Sequence, residues 1–200
     1  MSEYHTIINK GYGEFKEKGS KFISYSFPVA NEEDVKHELD ELRKQYHDAR
    51  HHCYAWVLGM EQQRYRANDD GEPSHSAGDP ILGQIRSYGL TNTLVVVVRY
   101  FGGTKLGVGG LINAYKTAAE LALSESGKVQ IFEMIDVQLA FDYAQMSVAE
   151  RLISDFDLVV SKRDFTTSCK IEASIKKDLL MKFKSAIADL YEMNISFRDI

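Results

Sequence analysis

The chain predicts an α+β protein made of two consecutive domains, and three observations predict it. The first is the apolar run Leu94-Val95-Val96-Val97-Val98, whose β-branched residues suit a strand buried on both faces and hardly suit the start of a helix. The second is a capped amphipathic helix. Asn31 is followed by Asp34 three residues on, and then by Val35, Leu39, Leu42 and Tyr46 at spacings of 4, 3 and 4. The third is a restart of the pattern after residue 130, where about 70 residues read β-α-β-β-α-β, the ferredoxin-like split motif.

Taken in order, residues 3–10 alternate loosely and predict an edge strand, while 11–19 read as a polar turn region. Residues 21–29 alternate Phe22, Ser24 and Ser26 against Ile23, Tyr25 and Phe27, which predicts a strand that Pro28 brings to an end. The helix opened by Asn31 runs to about His47. Residues 53–58 predict a strand ended by Gly59, and 63–67 the returning strand of a hairpin. A polar loop starts at Asn68 and leads to an amphipathic segment at 81–88. After the valine run, Gly109-Gly110 opens a helix at Leu111 that Gly127 terminates. The order β-β-α-β-β-α-β-α predicts helices covering a mixed sheet. Beyond the boundary near 130–131, strands are expected at 137–141, 158–161, 168–175 and 195–197, with a turn near Arg163-Asp164. Helices are expected at 144–156 and 178–191. The domains are therefore 1–130 and 131–200.

Two hundred residues bury a substantial core, and 44% hydrophobic with 26% charged residues is ordinary for a globular protein. A net charge of −5 argues against a protein that coats nucleic acid through bulk charge, and neither half of the chain is basic. Cys53 and Cys169 each fall in a strand-like segment and read as buried thiols of a reducing compartment. The start MSEYHTIINK has no apolar signal-peptide core, and no window approaches 18 apolar residues, so the expected location is cytoplasmic and no membrane contact is expected.

The stretch from Asp69 to Tyr115 carries the chemistry-bearing residues. Residues 103–110 lack the Gly-Lys-Ser/Thr of a P-loop, and Ile112 stands where a dinucleotide fingerprint needs its third glycine. Two readings stay open for these glycines: close strand–helix packing, or a backbone cradle for an anion at Gly109-Gly110 assisted by Lys105. Asp69, Asp70 and Glu72 lack the spacing of a calcium loop, and one of these carboxylates is expected to hold Arg99 in a bidentate ion pair. His47-Asp-Ala-Arg-His51 imitates a zincin motif but has Asp where the base must be Glu, so no metal and no cofactor is expected. Ser74 and Ser76 flank His75 outside any Gly-x-Ser-x-Gly elbow. Tyr65 between two arginines, and Tyr100-Phe101 after Arg99, have the composition of stacking platforms for single-stranded RNA.

The residues DDGEPS-x-SAG-x-PIL, VVVVRYFGG-x-KLG-x-GGL and the following Ala-Tyr resemble the IMPACT/YigZ family. Lys18-Gly19-Ser20-Lys21-Phe22-Ile23 and His52-Cys53-Tyr54-Ala55-Trp56 are similar to the same pattern, which covers about residues 4–125. His75 stands where the family usually has Gly, and Asn113 where it usually has Arg. The resemblance implies a first domain like ribosomal S5 domain 2 and a tail like the C-terminal domain of elongation factor G. It also implies a binding protein of translation: eukaryotic members restrain the kinase response to amino-acid starvation by competing for its activator protein. The expected partners are the ribosome, RNA or a translation-related protein. The expected binding face comprises His52, Asp69, Asp70, Glu72, Ser74, Arg99, Tyr100, Gly102, Gly103, Lys105, Gly109, Gly110 and Tyr115, with no residue assigned a catalytic role. The alternative is a small-molecule or hydrolytic enzyme with a pocket between residues 68–78 and 99–110.

Overall fold

A computed structural model describes residues 3–166 and 168–198; Met1, Ser2, Thr167, Asp199 and Ile200, and with them the outer ends of both expected domains, lie outside the described residues. The chain divides into two compact units, Glu3–Ile131 and Phe132–Ile200.

The first unit runs Glu3–Ile7 (β1), Gly11–Glu17 (β2), Ser20–Pro28 (β3), Glu32–Gln45 (α1), His51–Leu58 (β4), Arg64–Asn68 (β5), Gly78–Ser87 (α2), Thr93–Tyr100 (β6), Gly107–Glu125 (α3) and Lys128–Phe132 (β7). Five strands form one sheet in the order β2-β3-β6-β4-β5, and β1 pairs with β7 in a separate ribbon. The valine run is the centre of that sheet. Val95 and Val97 face a core shared with α2 and α3, while Leu94, Val96 and Val98 face the core under α1. All five are fully buried, which is why no polar residue interrupts the run.

Helix α1 begins at the capping box that the sequence announces. The Asn31 carboxamide oxygen accepts from the backbone N–H of Glu33 and Asp34 at 2.8 and 3.0 Å. The Asp34 carboxylate accepts in return from the Asn31 N–H. Val35, Leu39 and Leu42 are the buried stripe.

Two expectations for the first unit are corrected. The sheet is antiparallel at every pairing, not mixed. The strands joined by α1, β3 and β4, are not neighbours, because β6 lies between them and pairs antiparallel with both. The second correction is that residues 11–17 form strand β2 and not a turn region. The two glycines that suggest a turn are there because α3 lies almost on the strand. A Cβ at Gly11 would sit 1.9 Å from the Ala122 carbonyl oxygen, and one at Gly13 2.6 Å from the Leu121 Cβ. Close approach, not turning, is what demands the missing side chains.

The second unit contains Met134–Phe141 (β8), Met146–Asp155 (α4), Val159–Asp164 (β9), Cys169–Lys176 (β10), Leu180–Ile187 (α5) and Asn194–Arg198 (β11). Single 3-10 turns at Tyr143–Gln145 and Lys177–Leu179 lead into the two helices. The sheet order is β11-β8-β10-β9, so each β-α-β crossover skips a strand. Ile135, Val137, Leu139 and Phe141 alternate inward from β8 and meet Ile171, Ile175 and Phe183. Arg163 and Asp164, expected in a turn, are paired within β9 opposite Ile171 and Lys170. Extended pairing with β10 carries the strand past the polar residues, which stay exposed or half-buried on it.

The packing of α3 on β2 yields a paired prediction. Gly11→Ala forces backbone apart and lowers unfolding stability by about 2–3 kcal/mol. Gly83→Ala, in α2 where a Cβ meets nothing within 4 Å, raises it by about 0.5–1 kcal/mol. Urea unfolding of the two variants beside wild type measures both.

Candidate functional site

The loop joining β5 to α2 is held by its own acidic residues. Asp69, Asp70, Gly71 and Glu72 make a tight turn in which the Glu72 N–H donates to the Asp69 carbonyl at 2.9 Å. Both central residues have positive φ, 41° at Asp70 and 86° at Gly71, as an Asp-Gly turn of the primed class requires. Each carboxylate then goes to a different place.

Asp69 caps α2 from a distance. Its Oδ1 accepts from the N–H of Ala77 and Gly78 at 2.9 and 2.8 Å, and its Oδ2 from the His75 N–H at 2.8 Å. That helix has no cap from its own N-cap residue, Ala77, so Asp69 satisfies donors otherwise left open. Burial works to raise the Asp69 carboxyl, but the three N–H donors outweigh it and hold the group below its ordinary value. The Asp70 carboxylate accepts from the His52 N–H at 2.6 Å, fastening the turn to the start of β4.

Glu72 turns inward and meets Arg99. The Arg99 Nη1 lies 2.6 Å from the Glu72 Oε1, with the two side chains 6% and 5% exposed. The expectation that a carboxylate of this loop holds Arg99 takes this form, through Glu72 by a single Nη1–Oε1 contact; no bidentate fork is formed. The Tyr115 hydroxyl donates to the same Oε1 at 2.8 Å, and the Cys53 thiol lies 3.3 Å from the Tyr115 oxygen and 2.9 Å from the Asp69 carbonyl oxygen, either of which can accept its single proton. Arg99 Nη2 reaches the Ser20 hydroxyl at 3.4 Å, and that oxygen also accepts from the Gly102 N–H at 3.1 Å. Burial pushes both the Cys53 thiol and the Tyr115 phenol far up, so both stay protonated. A buried chain of donors ending on one carboxylate is thus complete except at Arg99 Nε, which has no partner.

The expected binding residues come from both sides of the sheet. Arg99, Glu72 and Tyr115 lie on the α2/α3 side of the sheet with Cys53. Tyr100 packs with the α1-side core, and its hydroxyl donates to the Asp48 carboxylate at 2.6 Å, which pushes the phenol up to about 12. His52 pairs with Val98 and, by strand alternation, shares that α1 side; burial holds its imidazole below the ordinary value.

Gly102 is a packing glycine, since an added Cβ would meet the Gly19 backbone at 1.8 Å. Gly103 and Gly109 are open, with nothing within 4 Å of an added Cβ. Lys105 is exposed and Ser74 is exposed. Helix α3 starts at Gly107, four residues before the expected start, so Gly109 and Gly110 lie inside its first turn instead of preceding it. Glycine backbone is less favoured in a helix than alanine, and local sequence hides such a start. His47 lies beyond the end of α1 and His51 opens β4, so the two share no helical face. Among the described residues no group of three His, Cys, Asp or Glu side chains is arranged to hold a metal ion.

Residues outside the expected face also matter. Ser20, Phe22 and Cys53 hold Arg99 and Tyr115 in place. Arg50 lines a cleft of about 250 Å³ with Asp48, Arg99, Tyr100 and Phe101. Ser20 and Phe22 belong to the Lys18–Ile23 motif, which was the available signal; Arg50 carried none.

The family model described as the Impact N-terminal domain matches residues 18–123, more than half of the chain. The chain belongs to the IMPACT family. IMPACT family member YvyE of Bacillus subtilis (strain 168) is 30% identical over 190 residues, covering 95% of this chain and 88% of that protein. IMPACT family member YigZ of Escherichia coli (strain K12) is 32% identical over 174 residues, covering 86% and 85%. A crystal structure of a hypothetical protein matches with a TM-score of 0.68 and 28% identity over 100% of this chain and 98% of that one. The departures from the IMPACT pattern now have places. His75 adopts φ 64°, a backbone conformation that suits the usual glycine, and its imidazole pairs with Asp79 at 2.6 Å. Asn113 is exposed on α3.

Two predictions follow from the three carboxylates of this IMPACT chain. Glu72→Ala strands a buried guanidinium and costs about 3–5 kcal/mol of stability, whereas Asp70→Ala removes one hydrogen bond and costs about 1–2 kcal/mol; thermal and urea unfolding rank them. Asp69→Ala removes a pH dependence as well as about 1–2 kcal/mol. Its folded carboxyl lies below the unfolded value of about 4, so its stabilisation is complete above that value and is lost as pH falls through the lower folded one. Acid unfolding curves of the variant and wild type converge at low pH.

Proposed function

We propose that this chain is a non-enzymatic regulator acting on translation, through contacts with the ribosome, its RNA or a translation-linked protein. Family membership carries the reading. The engagement of the acidic loop supports it. Asp69 caps a helix, Asp70 fastens a turn and Glu72 neutralises Arg99, so each carboxylate has a structural partner in the resting protein. Exposed around the motif are Lys105, Ser74, His75 and the Phe101 ring, the materials of a contact surface.

Residues 1–130 read as a domain like ribosomal S5 domain 2, and 131–200 as a ferredoxin-like domain of the kind at the C-terminus of elongation factor G. The β-α-β-β-α-β sequence and the order β11-β8-β10-β9 support the second assignment. Action on translation places the protein in the cytoplasm, and no described helix is long and apolar enough to cross a membrane.

Sedimentation with purified ribosomes through a sucrose cushion tests the proposal. The protein is expected in the ribosomal pellet at low salt, released as salt rises, and depleted from it by Lys105→Glu. Protein that stays in the supernatant at every salt concentration overturns the reading.

A further inference from the structure

We infer that the cleft between residues 48–50 and 99–101 is a subsite for one nucleotide of single-stranded RNA, its base stacked on Phe101 and its phosphate held by Arg50. The inference rests on the translation reading above and names the chemistry of the contact. Four observations carry it.

The cleft encloses about 250 Å³ and is lined by Asp48, Arg50, Arg99, Tyr100 and Phe101. Three of its acid–base groups are already engaged. Arg99 is neutralised by Glu72, and Asp48 accepts from the Tyr100 hydroxyl. Arg50 is exposed and has no hydrogen-bond or ion-pair partner among the described residues, so it is the free cation of the cleft, beside an Asp48 carboxylate whose lone pairs are partly occupied by the Tyr100 hydroxyl. A guanidinium in that position fits a phosphate through two parallel N–H donors.

Phe101 is 52% exposed on the segment that follows β6. The Arg99 guanidinium carbon lies 5.7 Å from the ring centroid, and the same group lies 5.4 Å from Phe22. Arg99 is itself anchored by Glu72 and Ser20, so one side of the Phe101 ring rests against a fixed support. A supported and exposed ring beside a free guanidinium is how sequence-tolerant single-strand binders hold a nucleotide.

The surroundings favour a polyanion that continues beyond one residue. The β2–β3 turn touches this segment, because the Gly19 backbone packs against Gly102, and that turn carries exposed Lys18. Exposed Lys105 follows three residues after Gly102. Positive charges on segments adjoining the Phe101 turn suit successive phosphates, on a chain whose net charge is −5 and which therefore offers no general attraction to nucleic acid. Tyr65, the other exposed ring between arginines, is different. Its ring is as exposed, but the Arg86 guanidinium carbon lies 4.2 Å from its centroid, nearer than Arg99 lies to Phe101, so one ring face is already occupied by a cation.

Fluorescence anisotropy with a labelled, mixed-sequence single-stranded RNA of about 12 nucleotides tests the subsite. Arg50→Ala and Phe101→Ala, both surface truncations, are each expected to weaken binding about tenfold. Arg50→Ala is also expected to lower the slope of log affinity against log salt by about 0.7, and Phe101→Ala to leave that slope unchanged. Tyr65→Ala should bind as wild type does. RNA binding that neither variant weakens overturns the subsite, as does an equal loss in Tyr65→Ala. Ribosome sedimentation without any RNA binding also overturns it while leaving the translation reading standing. Absence of both removes the two together.

Discussion

A buried charge must be neutralised where it lies, and in this protein that requirement falls on Arg99. The residue ends the central strand of the first unit with its side chain 6% exposed, so its guanidinium has lost most of its water. Glu72 supplies the counter-charge, Tyr115 and Ser20 supply further hydrogen-bonding atoms, and the Phe22 ring lies alongside. Because removing either charge would leave the other stranded in an apolar setting, the loop after β5, the end of β6, the start of β3 and the middle of α3 are obliged to meet there. Every other feature of the motif region is arranged around that meeting point.

The requirement also explains how the acidic loop is divided. Glu72 reaches the ion pair because Asp70 and Gly71 reverse the chain in a turn with positive φ, and because Asp69 pins the following helix by its first N–H groups. Three neighbouring carboxylates thus serve an ion pair, a strand start and a helix start. Cys53 and Tyr115 extend the same network inward as protonated donors, their ionisation suppressed by burial. Beside this buried network, Arg50, Phe101 and Lys105 stand exposed.

Close backbone contact is the second theme. Gly11 and Gly13 allow α3 to settle onto β2, and Gly102 allows the β6–α3 turn to touch the β2–β3 turn. These contacts join segments about 80 to 110 residues apart in the chain, so nothing in their local sequence distinguishes a packing glycine from a turn glycine. That is why residues 11–17 read as a turn and fold as a strand, and why the glycines after Phe101 admitted two readings. The structure divides them: Gly102 is pressed against Gly19, while Gly103 and Gly109 face open space.

By itself the sequence determined whatever depends on short-range pattern. The Asn31 capping box, the stripe of α1, the doubly buried valine run and the β-α-β-β-α-β order of the second unit all follow from spacing within a few residues. It also determined that a loop carboxylate would seek Arg99, because an arginine at the end of an apolar strand needs one. Which carboxylate, and on which side of the sheet each site residue would stand, only the tertiary structure decided. A turn with two positive φ values sends Glu72 inward and Asp70 back to β4, and strand alternation sends Arg99 to one side of the sheet and Tyr100 to the other. Placing β6 between β3 and β4 was likewise a matter of long-range pairing, since adjacent elements in a chain need not be adjacent in a sheet.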